Sequence, residues 1–136
     1  MIEQWQPASA SNASLPKADQ LQQLPAALVN SDSAEPSINE SALDAALLQQ
    51  AKLWTQLNEE QWADGWGELD DQTLWNIALF YVLAEQQLDD WQLADKNPAI
   101  WVFRMLKKRG TPVPKDQIKA IKKLTDNRFI PYGSVL

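Results

Sequence analysis

Residues Thr73–Leu88 read TLWNIALFYVLAEQQL. At 3.6 residues per turn the apolar side chains fall around nearly the whole circumference. A helix without a polar face is buried on all sides, so this segment predicts a central helix around which the rest of the chain packs. Asp70 or Asp71, just ahead of it, can cap its first N–H groups and favour its dipole. The apolar run Leu74–Ala84 is about half the ~20 residues that cross a bilayer, so no membrane span is expected.

Toward the C-terminus, NPAIWVFRMLKKRG (97–110) carries both ends of a second helix. Asn97 is the N-cap, Pro98 the first helical residue and Gly110 the stop. A further helix is predicted from near Pro114 to about Thr125. Ile118, Ala120, Ile121 and Leu124 form one face of it, and Lys115, Lys119, Lys122 and Lys123 the other. Toward the N-terminus, Leu43, Ala46, Leu47, Trp54 and Leu57 share one face of an amphipathic helix over about 41–57, preceded by a Ser37–Glu40 capping-box pattern. The expected fold is therefore all-α, a small irregular bundle of about four helices, with Trp75 and Trp101 in its two most apolar members.

Between these helices EQWADGWGELD (60–70) and EQQLDDWQLAD (85–95) share five identities. Both are expected to be loops in which a tryptophan, Trp66 or Trp91, plugs the core. Two copies do not make a solenoid.

Residues 1–36 are expected to form a disordered, low-complexity tail ahead of a helical domain at 37–136. Ser, Gln, Pro and small residues dominate there, and such a stretch buries too little surface to offset its ordering entropy. The apolar island LQQLPAALV (21–29) is expected to dock only loosely. The C-terminal stretch TDNRFIPYGSVL is the opposite, apolar and stiff. Pro131 holds Ile130 extended, and an extended strap folded back over the bundle is expected. The other reading keeps Phe129 and Tyr132 as anchors for a partner, since aromatic residues and arginine are frequent interface hot spots.

Cysteine and histidine are absent from the 136 residues. That removes thiolate chemistry, disulfides, the usual general base and the commonest metal ligands. The acidic group Asp64, Glu68, Asp70 and Asp71 fails the calcium-loop template, which needs an oxygen ligand where Trp66 stands and glycine where Leu69 stands. No glycine-rich phosphate loop or nucleophile elbow occurs. No metal, no cofactor and no catalytic residue is expected. The start of the chain has no secretory pattern, which fits a cytoplasmic protein of bacterial type.

The formal charge of −6 hides a polarity. Residues 41–96 carry eleven acids and two lysines, whereas residues 97–136 carry nine basic residues and two acids. The expected function is that of a small, non-enzymatic interaction or regulatory protein binding a protein partner. The alternative is a nucleic-acid-binding module built on the basic helices. Either would use Arg104, Lys107, Lys108, Arg109, Lys115, Lys119, Lys122, Lys123, Asn127, Arg128, Phe129 and Tyr132.

Overall fold

The computed structural model describes residues 15–31, 33, 35–66, 69–130 and 132, apart from the side chains at 63 and 64. Among the described residues the α-helices are α1 (Ala18–Leu21), α2 (Ala45–Leu53), α3 (Glu59–Trp66), α4 (Asp71–Gln87), α5 (Pro98–Lys108) and α6 (Lys115–Lys122). Two short strands, β1 (Leu28–Val29) and β2 (Ser37–Ile38), pair antiparallel with Leu28 opposite Ile38. 3₁₀ turns follow α1 (Leu24–Ala27) and α2 (Trp54–Gln56) and precede α5 (Ala94–Lys96).

The centre is α4, as its composition requires. Every residue from Ile77 to Ala84 is buried, so no face of this stretch meets solvent. Asp70 caps it: the Thr73 N–H donates to Asp70 Oδ1 at 2.7 Å. Hydrogen bonds from the side chain and backbone of Thr73 hold the Asp70 carboxyl below its usual range. The most extensive helix pairing is between α4 and α5. Asn97 caps α5 through the Ala99 N–H at 2.8 Å. At its other end the Thr111 N–H donates to the Leu106 carbonyl and the Gly110 N–H to that of Lys107. This is the Schellman pattern, and Gly110 takes the left-handed φ of +83° that it requires.

The tryptophan core lies elsewhere than expected. Trp75 and Trp101 are only half-buried, whereas Trp54, Trp62 and Trp66 are fully buried. The Trp62 ring meets Trp54 at 6.0 Å, Trp66 at 5.1 Å and Tyr81 at 5.8 Å, and Tyr81 meets Trp91 at 6.2 Å. Aromatic pairs at such separations add to plain burial. The Tyr81 hydroxyl donates to the Ala51 carbonyl at 2.8 Å, tying α4 to α2. The indole N–H groups of Trp62 and Trp66 are buried with no hydrogen-bond partner among the described residues.

The Ser37–Glu40 box falls in β2 and a 3₁₀ turn (Glu40–Ala42), while Asp44 caps an α2 that begins only at Ala45. Besides this and the tryptophans, two sequence expectations need correction. First, EQWADGWGELD is not a loop. Its first seven residues belong to α3, whose start is a reciprocal cap. The Gln61 N–H donates to Asn58 Oδ1 and the Asn58 N–H to Gln61 Oε1, both at 2.9 Å. The matching stretch at 85–95 does leave the helix after Gln87, and both tryptophans, Trp66 and Trp91, are buried as expected. Second, the unpacked segment does not extend to residue 36. Leu21, Leu24 and Ala27 are fully buried. The 3₁₀ turn Leu24–Ala27 packs on α4, and the Ile38 N–H donates to Gln87 Oε1 at 3.0 Å. Gly65 makes room for the approach: a Cβ there would stand 2.5 Å from the Pro16 carbonyl oxygen. Residues 1–14 lie outside the described residues.

Candidate interaction surface

The twelve residues singled out from the sequence divide into four groups. Arg109 is structural. Its side chain is only 25% exposed and pairs with Asp71 at 3.0 Å. Its guanidinium donates to the carbonyl oxygens of Leu69 and Trp66 at 2.8 and 2.7 Å. One arginine thereby ties the end of α3 and the start of α4 to the end of α5, and its charge is not free for a partner.

Arg104, Lys107, Lys108 and Tyr132 form the second group, where the strap ends. Residues 104, 107 and 108 are three and four apart, so α5 presents them on one side. Arg104 Nε and Nη2 donate to the Tyr132 carbonyl at 3.1 and 2.9 Å. Arg104 Nη1 pairs with Glu59 at 3.0 Å, and Lys108 reaches the other Glu59 oxygen at 3.6 Å. The Arg104 guanidinium also lies 5.2 Å from the Trp101 ring, and the Lys107 ammonium 5.0 Å from the Tyr132 ring. Glu59, Arg104, Lys107, Lys108 and Tyr132 line an open cleft of about 550 Å³. Asn58, Glu60, Trp101 and Met105, together with Glu59, Arg104 and Lys108, line an adjoining cleft of about 460 Å³.

Asn127, Arg128 and Phe129 belong to a junction between the strap and α4. Asn127 Nδ2 donates to Glu85 Oε1 and to the Ala94 carbonyl, both at 2.8 Å. Its Oδ1 accepts from the Phe129 N–H at 2.9 Å, which starts the turn. Glu85 is saturated. Oε1 also accepts from Asn97 Nδ2 at 2.9 Å, and Oε2 accepts from the Leu93 and Ala94 N–H groups at 2.8 and 2.9 Å. A carboxylate accepting four hydrogen bonds organises the loops around it. Arg128 is exposed, with its guanidinium 6.0 Å from the Phe129 ring.

The lysines of α6 are the fourth group. Lys115, Lys119, Lys122 and Lys123 are exposed. None of them takes part in an ion pair among the described residues. Ile121 on the opposite side is buried and Ile118 half-buried, so the helix is amphipathic, although Ala120, expected on the apolar face, is exposed and Leu124 lies beyond the helix end.

The C-terminal segment packs back on the bundle as expected, although residues 128–130 form a turn and not an extended stretch. Ile130 is 1% exposed, and Phe129 and Tyr132 are half-buried against the core. Residues 133–136 lie outside the described residues, as does Glu68 of the acidic group considered for metal. Sequence reasoning missed Glu59 and Glu85, because each is defined by partners eight or more positions away, Arg104 and Asn127 among them. Among the described residues, no helix is long and apolar enough to cross a membrane. Comparison with protein-family models, with curated proteins and with solved structures finds no match.

Proposed function

We propose that the protein is a non-enzymatic interaction protein whose docking face is the lysine side of α6, and that the partner presents an acidic protein surface. The observation that carries this reading is the contrast between the basic groups. Arg104 and Arg109 are held by Glu59, Asp71 and backbone carbonyls, whereas Lys115, Lys119, Lys122 and Lys123 stand exposed and without an ion pair among the described residues. Positions i, i+4, i+7 and i+8 form one stripe, about 12 Å long at 1.5 Å per residue. The stripe holds point charges without arginine forks or aromatic side chains, which suits long-range attraction more than base-specific contact. The same stripe supports a second reading, in which it pairs with nucleic-acid phosphates.

Fluorescence anisotropy with a labelled polyglutamate peptide and a labelled DNA duplex separates the two. The expected result is salt-dependent binding of the acidic peptide that weakens when Lys115, Lys119 and Lys122 are replaced by Gln. Tighter binding of the duplex would favour nucleic acid, with the triple variant flattening the salt slope by about 0.9 per lost phosphate contact. Absence of binding to both probes at low salt would overturn both readings.

A further inference from the structure

The cleft at the end of the strap carries an inference independent of the α6 stripe. Three cations, Arg104, Lys107 and Lys108, face it, and one carboxylate, Glu59, serves two of them. Among the described residues Lys107 meets the face of the Tyr132 ring and forms no ion pair. The Arg104 fork, Nε with Nη2, is the edge with which arginine grips a carboxylate or phosphate through two parallel hydrogen bonds. Here both donors converge on a single neutral acceptor, the Tyr132 carbonyl, at 3.1 and 2.9 Å. A neutral oxygen satisfies the two N–H groups without adding to the one negative charge of Glu59, so three cations against one carboxylate leave the cleft net positive. The carbonyls at the end of α5 do not oppose an anion strongly, since those of Leu106 and Lys107 are covered by Thr111 and Gly110. Glu59, 28% exposed, already holds Arg104 Nη1, and this contact fixes the fork with its other edge turned to the cleft.

We infer that this cleft is a phosphate-class oxyanion site, in which the Arg104 fork exchanges the Tyr132 carbonyl for the anion while Lys107 and Lys108 neutralise it. The strap is then a competing occupant. Anion binding frees the Tyr132 end and leaves the Ile130 plug in the core. Phosphomonoester groups on a partner and free phosphate share this chemistry.

The test is a titration of the full-length, isotope-labelled chain with sodium phosphate at constant ionic strength, followed by NMR at the Arg104 side-chain Nε–H, the amides of residues 104–108 and the Tyr132 ring. Saturable shifts at all three places, absent with sodium chloride, are expected. Arg104→Lys keeps the charge and loses the fork, so it should weaken the response about tenfold, the scale of one charge-assisted hydrogen bond. Lys107→Gln changes an exposed side chain, leaves the fold intact, and should weaken the response as well. Phenyl phosphate beside inorganic phosphate tells the sources apart: tighter binding of the ester assigns the site to a phosphorylated partner, and equal or weaker binding assigns it to free phosphate. Linear shifts, an equal response to chloride, or unchanged affinity in both variants would overturn the inference. Loss of the response in Lys119→Gln/Lys122→Gln with the α5 variants unaffected would also overturn it, while leaving the α6 reading standing.

Discussion

Asn127 donates from Nδ2 to Glu85 Oε1 at 2.8 Å across 42 positions of sequence, joining the start of the strap to the last turn of α4. The same oxygen accepts from buried Asn97, the cap of α5. Three segments thus meet on one half-buried carboxylate.

Glu85→Gln should destabilise the protein by about 1–3 kcal/mol, because the amide nitrogen would face N–H donors and leave them unsatisfied. Asn127→Ala removes two hydrogen bonds to acceptors that keep other donors or reach water and leaves the Phe129 N–H as the one donor without its partner, so it should cost less. Urea denaturation of the two variants checks the order. Equal midpoints for Glu85→Gln and the parent would mean that the junction is solvated.

The N-terminal segment gives the second prediction. Leu24→Ala should cost about 2–5 kcal/mol, the range for emptying a buried leucine site. Gly65→Ala should disturb the same contact from the other side, since the new methyl group meets the Pro16 carbonyl. Deletion of residues 1–14 alone should leave Leu21, Leu24 and Ala27 in place, whereas deletion through residue 35 should lower the thermal midpoint. Identical midpoints for the two deletions would show that the 3₁₀ turn does not pack in solution.

What the sequence made legible follows from where each signal resides. The α4 and α5 boundaries were readable because their caps are local: Asp70 accepts from Thr73 and Asn97 from Ala99. The strap was readable from its run of large apolar residues. The packing of Leu21, Leu24 and Ala27 was not, because the polar residues around them describe the local chain and not the α4 surface waiting for them. The start of α3 was available and overlooked: Asn58 and Gln61 stand three apart, as a reciprocal cap requires. At the candidate site, α6 could be read from its own periodicity. Whether Arg104 and Arg109 were free could not, since their acceptors are distant in sequence, on Glu59, Leu69, Trp66 and Tyr132.

The aromatic core orders the tryptophans. Trp62→Ala should cost roughly 3–5 kcal/mol, as for other fully buried large aromatic residues. Trp101→Ala should cost clearly less, because that ring is half-exposed beneath Arg104. Chemical denaturation of the pair measures the difference, and a larger loss for Trp101→Ala would contradict this packing.

Burial pushes the Tyr81 phenol well above its ordinary value of 10.0. The sign follows from linkage. The neutral phenol is favoured in the folded state, so its contribution is fully present below pH 10 and is lost as pH rises from there toward the folded-state value. Tyr81→Phe should lose about 1 kcal/mol at neutral pH, with the bond to Ala51 gone. Its stability should then fall less steeply than the parent's above pH 10. Parallel stability curves for the two proteins would show that Tyr81 is hydrated.

Truncation after Asp126 tests the strap as a whole. It removes Ile130, worth about 1.5–3 kcal/mol on burial. It also removes the Asn127 contacts with Glu85 and Ala94 and the carbonyl that Arg104 holds. The loss should exceed that of Ile130→Ala, which keeps the polar contacts at both ends of the strap. Tyr132→Ala should cost least, because the backbone carbonyl stays on Arg104 and only the half-buried ring and its contact with Lys107 go, the latter worth about 0.5–1 kcal/mol. Midpoints in urea at unchanged slope rank the three variants. If the truncated chain unfolds together with the full-length one, the strap is not packed in solution, and Phe129 and Tyr132 become anchors available to a partner.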